Sequence, residues 1–116
     1  MKVIIAGGRN YQLTPEDYDR LDDLYMEINI TEVVSGCAKG ADTCGEQWAG
    51  YRYIPIKKFP ANWNKYGRAA GMIRNREMAE YADAVVLFPG GKGTQNMYEQ
   101  AFVNRLTIFD WRSTNE

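Results

Sequence analysis

Three short segments of the chain combine glycines with polar or basic residues, and each follows an apolar run. They are Gly7-Gly8-Arg9-Asn10, Gly36-Cys37-Ala38-Lys39-Gly40-Ala41-Asp42 and Pro89-Gly90-Gly91-Lys92-Gly93-Thr94. Glycine allows positive φ angles and lets the backbone approach a ligand closely, while the first turn of a helix offers unpaired N–H groups and a partial positive charge. A glycine turn between a strand and a helix is therefore typical of a phosphate-binding site, although a single such turn also fits a purely structural role.

Basic residues near these turns could neutralise a bound anion. Arg74 and Arg76 lie early in a predicted helix, where the helix dipole disfavours positive charge. Both would be better placed beside an anion, and arginine binds phosphate through two parallel hydrogen bonds. For each arginine the alternative is a surface ion pair with Glu77 or Glu80. The lysines within the second and third glycine turns are either additional positive charges or ordinary solvated side chains.

One carboxylate and three aromatic residues are further candidates for ligand contacts. Asp42 ends the second glycine turn, where its carboxylate fits either the N-cap of a helix or an acceptor for a ribose hydroxyl. Tyr11, Trp63 and Tyr66 could stack on a nucleobase. The alternative for these three residues is that they complete the core.

The composition excludes several classes of site. The chain has no histidine, which excludes Ser-His-Asp and Cys-His catalytic arrangements, and Cys37 and Cys44 make a poor zinc site. We therefore expect both cysteines to be reduced packing residues, and we expect no metal and no cofactor. The net charge of −1 gives no overall attraction to nucleic acid. No apolar run approaches the ~18 residues that span a bilayer, and no signal-peptide pattern is present, which predicts a cytoplasmic protein.

Strands and helices alternate along the chain. The pattern predicts strands at residues 2–6, 32–35, 53–59, 84–88 and 106–109, and helices at 15–28, 41–49, 68–81 and about 94–102. The unbroken apolar run at 84–88 is typical of a strand buried on both faces, and Pro55 places the third strand at a sheet edge. Residues 60–67 are predicted to form an irregular loop and residues 112–116 a frayed tail. This order indicates a single domain over residues 1–116, with a mostly parallel five-stranded sheet between two helical layers.

A parallel sheet would bring the three glycine turns together. Each turn follows a strand, and all such turns lie at the same edge of a parallel sheet. Where the strand order reverses, two neighbouring turns separate and open a crevice, which is the usual ligand position in folds of this kind. Three glycine turns at one edge favour a site for a phosphate-bearing ligand over three independent structural turns.

Five blocks of sequence, in the same order, resemble one known family. They are Ala6-Gly7-Gly8-Arg9, Val34-Ser35-Gly36-Cys37-Ala38-Lys39-Gly40-Ala41-Asp42, Phe59-Pro60-Ala61-Asn62-Trp63, Gly71-Met72-Ile73-Arg74-Asn75-Arg76-Glu77-Met78 and Pro89-Gly90-Gly91-Lys92-Gly93-Thr94. The blocks are similar to those of the YspA-like branch of the SLOG superfamily, which groups domains related to the DNA-processing protein DprA/Smf and to the LOG cytokinin-activating enzymes. The resemblance implies a Rossmann-like three-layer α/β/α fold that binds nucleotides or nucleotide-derived ligands at the strand ends. Such domains often act as sensors in conflict or stress systems of bacteria and phages.

The LOG enzymes offer a more detailed comparison. They cleave the N-glycosidic bond of a nucleoside monophosphate with an arginine and a glutamate, and Arg74 matches that arginine. Met97 stands where the resemblance places the glutamate, and a thioether can neither accept a proton nor stabilise an oxocarbenium-like sugar. Glu99 lies two residues further on, about 200° around a helix, so that it does not simply replace the missing carboxylate.

The main hypothesis is a domain that senses or sequesters a nucleotide or nucleotide derivative, with a phosphate cradle at the carboxyl ends of the strands. Its predicted ligand-binding residues are Gly7, Gly8, Arg9, Ser35, Gly36, Lys39, Gly40, Asp42, Arg74, Gly90, Gly91, Gly93 and Thr94. The alternative is a LOG-like nucleoside 5′-monophosphate N-glycosidase that uses Arg74 with Glu77 or Glu99. Single-stranded DNA binding is a third hypothesis, which the net charge disfavours. The resemblance also makes a homodimer an expected partner arrangement.

Overall fold

All five strands form one parallel sheet in the order β3-β2-β1-β4-β5. The computed structural model describes residues 1–112. Its strands are β1 (Lys2–Ala6), β2 (Glu32–Ser35), β3 (Ile56–Lys58), β4 (Ala84–Leu87) and β5 (Thr107–Asp110). The predicted Rossmann-like α/β fold is confirmed, and the sheet is parallel throughout. The strand order reverses between β1 and β4.

Helices cover both faces of this sheet. They are α1 (Pro15–Glu27), α2 (Ala41–Tyr51), α3 (Trp63–Tyr66), α4 (Ala70–Tyr81) and α5 (Lys92–Val103), with a 3-10 turn at Gly67–Ala69 between α3 and α4. Side chains of α1 and α2 form one core with one face of the sheet, and side chains of α4 and α5 form a second core with the other face. None of the helices within residues 1–112 is both long and apolar enough to cross a membrane.

The two strands beside the reversal are the most deeply buried part of the sheet. Every residue of β4 is buried, as predicted, and so are the last four residues of β1. Alternate side chains of β1 enter the two cores, so that Val3 and Ile5 face α1 and α2 whereas Ile4 faces α4 and α5. Gly45 lets α2 approach the sheet closely, because a Cβ atom there would lie 2.8 Å from Cγ2 of Ile5.

A capping box starts α1 just after the first glycine turn. The Thr14 hydroxyl accepts a hydrogen bond from the Asp17 N–H (3.1 Å), and the Asp17 carboxylate accepts from the Thr14 N–H (2.9 Å) and the Tyr11 hydroxyl (2.5 Å). Tyr11 also stacks on Phe88, which follows β4, with their ring centroids 5.9 Å apart. These contacts fix the segment that joins the first glycine turn to α1.

The third strand is shorter than the sequence predicts. It spans only Ile56–Lys58, although it does form an edge of the sheet as Pro55 indicates. Tyr53 has a left-handed φ of +57°, and the Ile54 N–H donates to the carbonyl oxygen of Ala49 (2.8 Å). The residues before β3 therefore complete the end of α2 and are not available to extend the strand.

Residues 60–67 contain a helical turn where the sequence predicts only an irregular loop. The Asn62 side chain accepts a hydrogen bond from the Lys65 N–H (3.1 Å), which caps α3, and Gly67 ends α3 with a φ of +55°. At the other end of the chain, Arg112 is not frayed, since its guanidinium pairs with the Asp110 carboxylate (2.8 Å). The remainder of the predicted tail, residues 113–116, lies outside the described residues.

Candidate functional site

The three glycine turns meet at one edge of the sheet and contact each other through backbone atoms. The Gly8 N–H donates to the carbonyl oxygen of Pro89 (2.9 Å), which links the turns after β1 and β4. The Gly8 carbonyl oxygen accepts from the Ala41 N–H (3.3 Å), which links the turn after β1 to the start of α2. The turns therefore converge as the parallel sheet predicts.

Two glycines are required by this contact between turns. A Cβ atom on Gly40 would lie 2.3 Å from the Gly8 carbonyl oxygen, and the φ of Gly40 is +77°. A Cβ atom on Gly90 would lie 2.1 Å from Oγ1 of Thr94 and 2.7 Å from the Gly8 nitrogen. Gly40 and Gly90 line neither of the two chambers described below, so their structural role is to let the turns pack together.

A cavity of about 560 Å³, here called the first chamber, opens where the strand order reverses. Its lining includes residues of the turns after β1 and β4, namely Gly7, Gly8, Arg9, Gly91, Lys92, Gly93 and Thr94. The buried side chains of Met78 and Met97 form an apolar part of its wall. The first N–H groups of any helix have no intrahelical acceptor, and Gly91, the N-cap of α5, provides no side-chain acceptor for them.

A second chamber of about 450 Å³ adjoins the first. Both chambers are lined by Arg9, Ala38, Trp63 and Arg74. The second chamber alone contains Gly36 and Lys39 from the turn after β2. The glycine turns therefore line a cleft with two compartments, and the predicted residues Gly36 and Lys39 lie in a different compartment from those at the start of α5.

Comparison with known proteins agrees with this architecture. A protein-family model described as the YspA, cpYpsA-related SLOG family matches residues 1–66. The Gene 61 protein of Mycobacterium phage D29 is 34% identical over 109 residues, which covers 86% of this chain and 87% of that protein. The chain belongs to the YspA, cpYpsA-related SLOG family. The SLOG match includes the first two glycine turns.

Arg74 is the cation most firmly held in the SLOG cleft. Its Nε atom donates to Oδ1 of Asn75 (2.9 Å), and one terminal nitrogen donates to the carbonyl oxygen of Gly36. The side chain is half-buried, and this burial lowers the pKa of the guanidinium from its usual value while nearby Asp42 partly opposes the effect. A guanidinium has five N–H groups, and these two bonds use two of them, so others remain for a ligand.

Asn75 connects Arg74 to the start of α5. Its buried amide nitrogen donates to the Gly93 carbonyl oxygen (3.2 Å) and to Oδ1 of Asn96 (3.0 Å), while its amide oxygen accepts from Arg74. Sequence reasoning missed this residue. Helical spacing could have identified Asn75 as a buried residue. It lies three residues before Met78, which is buried, and therefore on the inner face of α4.

Asp42 lines the first chamber but does not cap α2. The N-cap is Gly40, and the buried Asp42 carboxylate accepts a hydrogen bond from the Ala38 N–H (3.3 Å). Burial raises the pKa of Asp42 to about 6, although the Ala38 N–H and the charge of Arg74 both favour the ionised form. The N-cap role considered from the sequence is therefore wrong, and the ribose contact stays a prediction.

Several predicted residues lie away from both chambers. The buried Ser35 hydroxyl donates to Oε2 of Glu46 (2.6 Å) and accepts from the Cys37 N–H (3.1 Å), so it supports the turn after β2. Arg76 and Glu77 are exposed on α4 and line neither chamber. The expectation that Arg76 lies beside the anion site is therefore not supported. Cys37, by contrast, lines the second chamber and is exposed, so the prediction that both cysteines are packing residues is wrong for Cys37.

The remaining candidates separate into residues that line the cleft and residues that do not. Glu99 lines the first chamber from the exposed side of α5, whereas Met97 is buried in its wall. Trp63 is half-exposed and lines both chambers. Tyr11 packs against the core, and Tyr66 lines neither chamber. Trp63 is therefore the aromatic candidate that the structure places at the cleft.

Proposed function

We propose that this SLOG protein binds a nucleotide or nucleotide derivative in the first chamber and acts as a sensor or a sequestering protein. The observation that carries the proposal is that the uncapped N-terminus of α5 and the half-buried Arg74 line the same chamber. Helix N–H groups with a partial positive charge, together with a guanidinium, form a suitable cradle for a phosphate. The SLOG family assignment supports a nucleotide-related ligand.

The dimensions and the wall of the first chamber also support this proposal. Its volume of about 560 Å³ lies within the ~300–1,000 Å³ typical of small-molecule sites. Met78 and Met97 provide a polarisable apolar surface for a base or a sugar ring, and the Trp63 ring provides a surface for stacking. A ligand with a phosphate at one end and an apolar ring at the other would use both kinds of surface.

Asp42 and the predicted glycines complete the proposed contacts. Gly7, Gly8, Gly91 and Gly93 would bring backbone atoms close to the ligand, and Asp42 would accept a hydrogen bond from a ribose hydroxyl. We further propose that the protein acts in the cytoplasm, where both of its unpaired cysteines would stay reduced. Homodimer formation remains a prediction.

The alternative function, hydrolysis of a nucleoside 5′-monophosphate, is supported by one observation. Glu99 lines the first chamber together with Arg74, so a carboxylate is available even though Met97 replaces the expected glutamate. A carboxylate could serve as a base or stabilise a sugar cation only if it reaches the anomeric carbon. Chromatographic detection of free base from AMP or GMP tests this alternative, and a release rate that Glu99→Gln abolishes would favour hydrolysis over simple binding.

Binding is tested by calorimetric titration of AMP and GMP into the protein and two arginine variants. We expect Arg74→Ala to weaken the tighter of the two ligands at least tenfold, because a hydrogen bond to a charged group contributes ~1.5–3 kcal/mol. Arg76→Ala is the matched control, since Arg76 is exposed on the same helix and lines neither chamber. Equal losses in the two variants, or no binding of either nucleotide and no nucleotide released from the denatured protein, would contradict the proposal.

A further inference from the structure

The second chamber differs from the first in the charges that line it. Among the described residues 1–112, Arg9, Lys39 and Arg74 line the second chamber, and no acidic residue does. The first chamber also contains basic residues, but Asp42 and Glu99 lie among them. Within residues 1–112, none of the three cations of the second chamber forms a salt bridge. Arg9 and Lys39 therefore carry positive charges that no ion pair in this part of the chain offsets, whereas nearby Asp42 partly offsets the charge of Arg74.

The second chamber is also large enough for an anion beside these cations. The turn that carries Lys39 leads into α2, but the first N–H of that helix, from Ala41, donates to the Gly8 carbonyl oxygen, so the cations provide the positive charge of this chamber. The chamber volume of about 450 Å³ is sufficient for a phosphate with its attached sugar. Arginine and lysine side chains grouped in this way bind phosphate in many proteins.

The two chambers are joined by residues that could contact one ligand from both sides. The Arg9 guanidinium lies 6.0 Å from the centroid of the Trp63 ring, and both residues line both chambers. Arg74 also lines both chambers and retains N–H groups that protein acceptors do not use. A single elongated ligand can therefore occupy both chambers and cross between them at these three side chains.

We propose that the natural ligand carries two phosphate groups on different atoms, one held at the start of α5 and the other held in the second chamber by Lys39 and Arg9. This inference rests on the proposed function, because it takes the first phosphate to occupy the first chamber. A nucleoside bisphosphate or a short oligonucleotide has this chemistry, whereas a nucleoside 5′-diphosphate carries its second phosphate directly on the first. The second chamber thus selects among nucleotides by the position of the second phosphate.

The test compares three adenosine ligands and the same three guanosine ligands by calorimetric titration at one salt concentration. The ligands are the 5′-monophosphate, the 5′-diphosphate and the 3′,5′-bisphosphate. We expect the bisphosphate of one series to bind at least tenfold more tightly than its monophosphate and more tightly than its diphosphate. A dinucleotide with a terminal 5′-phosphate tests whether the natural ligand is an oligonucleotide or a nucleoside bisphosphate. The second phosphate of the dinucleotide is a diester, whereas the second phosphate of the bisphosphate is a monoester.

Variants separate this inference from the proposed function. Lys39→Gln should weaken bisphosphate binding at least fivefold and leave monophosphate binding within twofold. Lys65→Gln removes one exposed positive charge outside both chambers and should change neither affinity. Monophosphate binding that depends on Arg74, with no preference for the bisphosphate or no effect of Lys39→Gln, would overturn this inference and leave the proposed function intact. Failure of all six ligands to bind, with no nucleotide released from the denatured protein, would overturn both.

Discussion

Replacement of Asp42 by asparagine should change how the free energy of unfolding depends on pH. The Asp42 carboxylate is 6% exposed, and burial raises its pKa from 3.8 to about 6. Asparagine has nearly the same shape and keeps an oxygen that can accept the Ala38 N–H bond, but it does not titrate. The variant therefore removes the proton equilibrium while it preserves the hydrogen bond to the turn after β2.

The size and sign of the effect follow from proton linkage. Between pH 3.8 and about 6 the folded protein holds a proton on Asp42 that the unfolded chain has already released. The contribution of Asp42 to stability is therefore largest below pH 3.8 and decreases as the pH rises through 6. One pH unit corresponds to ~1.4 kcal/mol, so a difference of about two units amounts to ~3 kcal/mol. We expect Asp42→Asn to gain about this much relative to the wild type between pH 4 and pH 7.

Urea unfolding of both proteins at closely spaced pH values measures this difference directly. Other carboxyl groups titrate in the same range, but they contribute equally to the two proteins and cancel when the free energies are subtracted. Asp23→Asn, which removes an exposed carboxyl group on α1, controls for the general effect of one lost charge. Parallel pH profiles for the wild type and Asp42→Asn would refute the reasoning, since Asp42 would then titrate alike in the folded and unfolded chains.

Three further predictions concern the turns and their supports. Gly40→Ala should lower the free energy of unfolding by at least ~2 kcal/mol, because Gly40 has a φ of +77° and a Cβ atom there would clash with the Gly8 carbonyl oxygen. Gly50→Ala in α2 should instead raise the free energy of unfolding by up to ~1 kcal/mol, and urea unfolding compares the two variants. Asn75→Ala should weaken AMP or GMP binding about tenfold, because Arg74 loses its hydrogen bond to the Asn75 side chain. Calorimetry measures the affinity, and circular dichroism shows that the variant is folded. Tyr11→Phe should destabilise the protein by about 1 kcal/mol through loss of the bond to Asp17, and an unchanged urea midpoint would contradict this expectation.

The sequence is sufficient to predict the architecture because strand and helix periodicities are strong in most of this chain. The run at β4 contains only apolar residues, and burial on both faces follows from that pattern. The convergence of the glycine turns follows from parallel topology alone. These conclusions need no knowledge of individual side-chain contacts.

The sequence was a poorer guide where tertiary contacts decide the conformation. The short helix α3 depends on one cap from Asn62. Tyr53 and Ile54, which precede β3, form hydrogen bonds with the end of α2. In the same way, Gly40 and Gly90 resemble ligand-binding glycines in sequence, although their missing Cβ atoms make room for neighbouring turns. Arg9 and Trp63, which line both chambers, are distant in sequence, and no local pattern encodes their approach to each other.

The turns of this protein are joined to each other by main-chain groups, namely the Gly8 N–H with Pro89 and the Gly8 carbonyl with Ala41. Such bonds do not depend on which side chains the cleft presents. If the proposed site is correct, mutations at Arg9 or Lys39 should alter ligand preference without weakening the contacts between the turns. The main-chain contacts can thus stay constant while the side chains that line the cleft diverge.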